Sequence, residues 1–551
     1  MLSSAILQAV LICGSTLFLW RLFRQLLVKS DLDNIPGLPS PSYLYGHVQQ
    51  LRDKQGWAFY RELAEKYPAV ARLSGPLGRK LLFVHDPKAM HYIAVKEQET
   101  FQEAEWFTSL TNRAFGPGLL ATQGDHHRKQ RKLLNPVFSI NHMRHMMPTF
   151  YHVTHKLREA IEQRVVQGPT EVDMVMWMGR TALELVGQAG LGYSFDKLTE
   201  ESADEFGEAL KSMAPTMATL GVFLQFLPLV EALIPECLLE PLGKIAPIPG
   251  LRDIMHISKT LKQKSTEIFM QKKTALLQGD EALAMQVGEG KDIMSVLLRA
   301  NMTAAVEDRL DERELIGQMS TITFAAMDTT SNALSITLWR LAQNQQVQDR
   351  VRQEIFAARD SQGGKDIPYD DLVSLPFLDA ICRETLRVHV PAPMRFREAR
   401  KDSVLPLSEP IRGLDGKLMH EIFVPKDTHV FVSINASNTN PAIWGPDAHE
   451  WKPERWLSPL PETVSNANMP GVYSNLMTFW AGGRACIGFK FSQLEMKVVL
   501  AVLLSTFKFE LTEKAIYWNI APIVYPSVVP DGSKPELPIK VTLLDRDVTE
   551  A

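Results

Sequence analysis

One cysteine stands in a setting suited to a metal-bound thiolate. Cys486 lies in the run Phe479-Trp-Ala-Gly-Gly-Arg-Ala-Cys-Ile-Gly488. Gly482, Gly483 and Gly488 let the backbone turn and approach a flat partner without Cβ clashes. Arg484 places a fixed positive charge where an anionic group would sit, and Phe479 can pack beside the sulfur and keep water away. A helical pattern follows, with Leu494, Val498, Val499, Val502 and Leu503 at three- and four-residue spacing. The first turn of such a helix aims N–H groups at the thiolate and lowers the cost of its charge. For any lone cysteine the competing reading is inert core. Structural zinc is disfavoured, because no Cys or His nearby in sequence completes a set of four ligands.

Other residues could carry or support chemistry. A helical pattern from Leu310 to about Leu341 contains Phe324-Ala-Ala-Met-Asp-Thr-Thr330. Polar groups inside an apolar helix are costly without partners, and Asp and Thr are poor helix formers. Either Asp328 and Thr329 handle protons, or Thr329 bonds back to a carbonyl one turn earlier. Glu384 and Arg387 share a helix face at a spacing of three; Arg455 follows downstream in Trp451-Lys-Pro-Glu-Arg-Trp456. The stretch Gly124–Pro136 reads as a basic helix carrying His127, Arg128, Lys129, Arg131 and Lys132. Its cations could pair with an acidic partner or form a solvated face. His142, His145, His152 and His155 offer i, i+3 pairs, but Pro148 separates them and no carboxylate or Cys interleaves, so they read as ordinary histidines.

The elements that position these groups belong to a large globular chain. Its 551 residues are 45% apolar and 22% charged, which excludes widespread disorder. A net charge of −4 without a long basic run gives no nucleic-acid footprint. Four scattered cysteines do not make a disulfide framework and fit a reducing compartment. Ala5–Trp20 is uncharged and mostly apolar, and residues 1–29 read as a membrane anchor of spanning length. Arg21, Arg24 and Lys29 follow it and no basic residue precedes it, which puts the bulk of the chain in the cytosol. A cleaved signal peptide is the weaker alternative, because a basic n-region is lacking. Residues 30–41 contain Pro36-Gly-Leu-Pro-Ser-Pro41, a stiff connector, and residues 42–551 form the catalytic domain. Val70–Ser74 and Lys80–His85 flank Gly75-Pro-Leu-Gly78 as a hairpin. From about Pro87 to Phe507 the pattern is mostly helical with short strands. The uncharged run Met213–Val230 is interrupted by Pro215 and Pro228, and reads as a lid that rests on a membrane rather than a second crossing. Val390-Pro-Ala-Pro-Met394 and Ile520–Tyr525 are expected to line a substrate pocket.

Taken in order, these stretches resemble the cytochrome P-450 family. The Cys486 run is similar to that family's haem-binding loop, F-x-x-G-x-R-x-C-x-G. The Asp328-Thr329 run resembles its oxygen-activation motif A-G-x-D/E-T, with Ala326 in place of glycine. Glu384, Arg387 and Arg455 resemble its E-x-x-R and P-E-R-W elements. His127 and Arg131 match its W-x-x-x-R, with histidine in place of tryptophan. The resemblance implies a mainly α fold with small β-sheets, preceded by one N-terminal transmembrane helix. It implies haem b (iron protoporphyrin IX) with the Cys486 thiolate as axial iron ligand, Phe479 beside it, and His127, Arg131, Arg397 and Arg484 at the haem carboxylates. Asp328 and Thr329 then deliver protons for oxygen activation, and a buried Glu384–Arg387–Arg455 set locks the core. The implied activity is a membrane-anchored monooxygenase inserting one atom of dioxygen into a lipophilic substrate, in terpenoid or other secondary metabolism. Electrons would come from NADPH through a flavoprotein reductase, with cytochrome b5 as a further candidate donor, at the endoplasmic reticulum. No G-x-G-x-x-G follows a strand, so the chain is not expected to bind NADPH itself. Some members of the family instead isomerise or dehydrate substrates without dioxygen; the Asp328-Thr329 pair argues against that alternative.

Overall fold

A computed structural model describes residues 16, 29–199, 205–279, 282, 287, 290–530, 532 and 534–544. The expected anchor falls almost wholly outside them. Around one large apolar core, the described chain is mainly helical with four small sheets.

The helix Glu312–Gln343 runs through the centre. Its start is fixed reciprocally. Asp311 accepts from the Glu314 N–H at 2.8 Å, and the Glu314 carboxylate accepts from the Asp311 N–H at 3.0 Å. Most of its residues are buried, so polar side chains must be satisfied internally. Thr323, Ser335 and Thr337 donate to carbonyls one turn earlier, each at 2.7 Å. Met174–Leu185, Leu251–Gln278 and Phe489–Leu504 pack around it.

The largest sheet has the strand order Val70–Ser74, Lys80–Val84, His429–Ser433, Met394–Ala399, Phe101–Glu103. The expected hairpin is present, with Val70 opposite Val84 and Ser74 opposite Lys80. Lys80–Val84 and His429–Ser433 run parallel. At the other edge Glu103 lies opposite Arg397, which sets two charged side chains against each other.

Residues 30–41 are fixed to this sheet at their start. Leu32 and Ile35 are buried, and Asp33 pairs with Lys80 at 2.6 Å and Arg72 at 3.1 Å. The basic stretch forms the helix Gly124–Leu134. The four histidines lie on one helix, Ile140–Val165, which continues through Pro148; His155 meets Asp366 at 2.9 Å.

The apolar run is broken into Glu205–Leu220, a short turn Gly221–Phe226, and Leu227–Leu233; Pro228 stands at the start of the last helix, but Pro215 lies inside the first without interrupting it. Among the described residues no single helix is long and apolar enough to cross a membrane. The two helices of this region pass that test by length and composition only as a bent pair. Phe223, Phe226, Leu229, Leu233 and Ile245 are exposed here.

Candidate active site

The Cys486 loop is held by its own backbone. Trp480 (φ 61°) and Gly482 (φ 63°) both take the left-handed conformation. At Gly482 only glycine fits, since a Cβ would lie 2.1 Å from the Ala94 carbonyl oxygen. The Gly483 N–H donates to Gln98 Oε1 at 3.0 Å, and the Cys486 N–H to the Phe479 carbonyl at 2.8 Å. At Gly488 the φ is −89°, and a Cβ there would meet Phe138 at an ordinary 3.8 Å, so no protein atom demands the glycine; its expected role is to leave room for a flat partner. The helix Phe489–Leu504 follows as the periodicity predicts.

Burial pushes the Cys486 thiol up from its usual range. A hydrogen bond from Gly488 and the guanidinium groups of Arg395 and Arg131 oppose that rise. Cys486 is nevertheless exposed, although Phe479, Ala485 and Phe491 around it are buried. A similar opening interrupts the central helix. Ala325, Ala326 and Thr329, on one face, are partly accessible, while Phe324, Met327, Asp328 and Thr330 are buried. The two helices concerned pack on each other.

Cations gather at one end of this region. His127, Arg397, Arg484, Trp480 and Glu103 together line a small cavity of about 30 Å³. Arg484 donates to the Thr122 carbonyl at 2.6 Å and the Leu119 carbonyl at 3.3 Å. Arg131 donates to the Ala485 carbonyl at 2.6 Å, behind the loop. Arg397 pairs with Glu103 and lies 4.7 Å from the Trp480 ring centre. Burial pulls Arg397 down to about 10, with Glu103 pulling the other way. Burial, then Arg484, Arg131 and Arg128, hold His127 down to about 3. In the neutral ring one nitrogen donates and the other accepts.

The two candidate proton carriers differ. Thr329 is partly open and donates to the Ala325 carbonyl at 2.8 Å, the back-bond weighed above; its oxygen can still accept. Asp328 is 2% exposed. Lys211, on the helix Glu205–Leu220, meets its carboxylate at 3.0 Å, and Asn332 donates to it at 3.1 Å.

The family model for cytochrome P450 matches residues 36–524. The chain belongs to the cytochrome P450 family. Along 97% of its length it is 55% identical to cytochrome P450 monooxygenase 91 of Postia placenta, covering 98% of that protein. It is 48% identical to ganoderic acid synthetase CYP5150L8 of Ganoderma lucidum, over 98% of this chain and 99% of the relative. A third relative, cytochrome P450 monooxyhenase eriI of Hericium erinaceus, is 39% identical over 94% of each chain. The chain is thus an oxidoreductase of the monooxygenase class.

The residues present fit the P450 family's haem. A thiol left open inside the protein, an accessible helix face, and the guanidinium groups of Arg131, Arg395, Arg397 and Arg484 outnumbering the carboxylates Glu99 and Glu103 suit a flat, iron-bearing dianion. Behind it, the expected buried set is complete. Arg387 holds Glu384 through two bonds of 2.8 Å, and Arg455 reaches the same carboxylate at 3.5 Å. Sequence reasoning missed Trp456 Nε1, which donates to Glu384 at 2.9 Å, and also Lys211, Trp480 and Arg395. Arg395 sits two positions before Arg397 in a strand, so alternation puts both on one face; that spacing was the available signal.

Proposed function

We propose that this P450 oxidises a lipophilic, terpenoid-sized substrate at the cytosolic face of the endoplasmic reticulum. Electrons reach it from NADPH through a flavoprotein reductase, with cytochrome b5 as an accessory donor. The observation that carries the reading is Cys486, enclosed by buried residues yet open, in a loop whose neighbouring basic groups converge on an anion-sized cavity. The exposed apolar lid supports a membrane setting, and the relative named for ganoderic acid supports a terpenoid substrate.

Bound haem supplies a reducible iron at which dioxygen is activated. Cys486 provides the thiolate, and the Gly488 N–H with Arg395 and Arg131 lowers the cost of its charge. Arg131, Arg397, Arg484 and neutral His127 orient the carboxylates. Thr329 Oγ1 accepts and passes a proton at the open helix face, and Asp328 holds the next proton position beside Lys211. Phe115 and Phe324, stacked at 4.7 Å, help exclude water. Membranes supplied with reductase and a panel of lipophilic compounds test the reading. Substrate loss should require both NADPH and dioxygen; turnover that continues without dioxygen would favour isomerase or dehydratase chemistry.

A further inference from the structure

A cavity of about 270 Å³ lies beside the central helix, and neither Cys486 nor Thr329 lines it. Four aromatic side chains form part of its wall, and Arg61, Glu65 and His449 also line it. Trp339 comes from the central helix, Trp57 and Tyr60 from the helix Trp57–Lys66, and Trp518 from the strand Tyr517–Asn519. Their arrangement is rigid. Trp339 and Trp518 meet edge to face at 5.7 Å, Trp57 Nε1 donates to the Trp518 carbonyl at 2.7 Å, and the Tyr60 hydroxyl to the Leu51 carbonyl at 2.7 Å. Three indoles and a phenol suit a lipophilic guest, with Trp57 Nε1 and the Tyr60 hydroxyl fixed by hydrogen bonds and Trp518 Nε1 buried without a partner among the described residues.

One end of the cavity is cationic. Arg340 lies 4.9 Å from the Trp339 ring centre, and its Nε donates to His389 Nε2 at 2.8 Å. That bond leaves the ring proton of neutral His389 on Nδ1; burial keeps this histidine well below its usual range. Arg340 also donates to Gln343 at 3.1 Å. Among the described residues no carboxylate pairs with Arg340, and burial lowers its pKa. A partly desolvated guanidinium without a counter-ion, at the end of an aromatic cavity, calls for an anion.

The two stretches expected at the substrate pocket divide between this cavity and a second one. Val390, Pro391, Pro393 and Val524 line the first, and Met394 and Ile520 line both it and a second cavity of about 150 Å³ that extends to Arg397, Met217 and Leu224. A guest in the first cavity packs against residues that front the second. We propose that the aromatic cavity is a second, non-catalytic site for a lipophilic carboxylate, with Arg340 as its anion partner, coupled to the substrate cavity through Met394 and Ile520. The coupling rests on the proposed oxidation of a lipophilic substrate in the second cavity; the binding does not.

Dodecanoate tests the site by equilibrium dialysis against the haem-loaded enzyme, with the Soret band reporting occupancy near the iron. Binding should include a component that leaves the Soret band unmoved. Arg340→Gln should weaken that component about tenfold or more, Arg340→Lys should retain most of it, and dodecanol should be indifferent to Arg340. Ala64→Phe, which fills the cavity from another wall, should block it without loss of haem. Saturating the site should shift the apparent affinity of a Soret-perturbing ligand by about fivefold or more. Dodecanoate binding seen only through the Soret band, or unaltered in both Arg340→Gln and Ala64→Phe, overturns the site. Binding with no shift in the second ligand's affinity overturns the coupling. A chain that takes up no haem sinks the active-site reading instead, and dialysis still reports on the cavity.

Discussion

In the proposed mechanism Thr329 and Asp328 divide the labour of proton handling unevenly. Thr329 spends its own proton on the Ala325 carbonyl and offers lone pairs to the open face, whereas Asp328 is enclosed with Lys211 and Asn332. Thr329→Ala should therefore keep haem and substrate binding while product per NADPH falls. Loss of one positioned proton carrier costs about 10²–10⁴-fold in a transfer step, less where water replaces the hydroxyl. Haem content, NADPH consumption and product, measured together, check this; unchanged coupling in haem-replete Thr329→Ala removes Thr329 from the mechanism. Cys486 and Arg484 could be singled out in the sequence because they stand two residues apart in one glycine-rich loop, whereas Arg131 and Arg397 were suggested only by the family resemblance. Lys211 was not legible, because its partner lies 117 residues away and only the packing of its helix joins them.

At the scale of elements, two buried carboxyl groups behave oppositely. Glu384 is fully buried but paired with Arg387 and Arg455 and bonded by Trp456. Glu384→Ala would leave those guanidinium groups buried without their counter-ion, a loss of about 3–5 kcal/mol. Denaturant unfolding and the yield of haem-loaded protein measure it; a change under about 1 kcal/mol would deny the set its structural role. Glu495, on the helix Phe489–Leu504, is fully buried and neither carboxyl oxygen has a partner among the described residues. Burial raises it well above the usual 4.5. The folded protein then keeps a proton that the unfolded chain has lost, so stability should fall as pH rises from about 4.5 toward the raised folded value. Each unit of that rise is worth about 1.4 kcal/mol. Glu495→Gln carries no such proton; it should melt higher than the natural chain at pH 8 and flatten the pH profile, and parallel profiles would contradict this. The helices were legible from periodicity. The sheet order was not, since Lys80–Val84 pairs with His429–Ser433 through backbone bonds that leave no local pattern.

For the whole molecule, the proposed topology puts the catalytic domain in the cytosol. The sequon at Asn301 does not test it, because that side chain is buried and bonded to the Leu310 carbonyl and N–H at 3.0 and 2.7 Å. Protease added to sealed microsomes does. The exposed turn at Gly363–Gly364 should be cut without detergent, and protection until detergent is added would reverse the orientation. The most direct test of the account is the spectrum of the reduced carbon-monoxide complex of the full chain with and without the Cys486 sulfur. The natural chain should show the strongly red-shifted Soret band of thiolate-ligated haem. Cys237→Ala and Cys382→Ala should keep it and Cys486→Ala should abolish it; a band that survives in Cys486→Ala would contradict the assignment of Cys486 as the iron ligand.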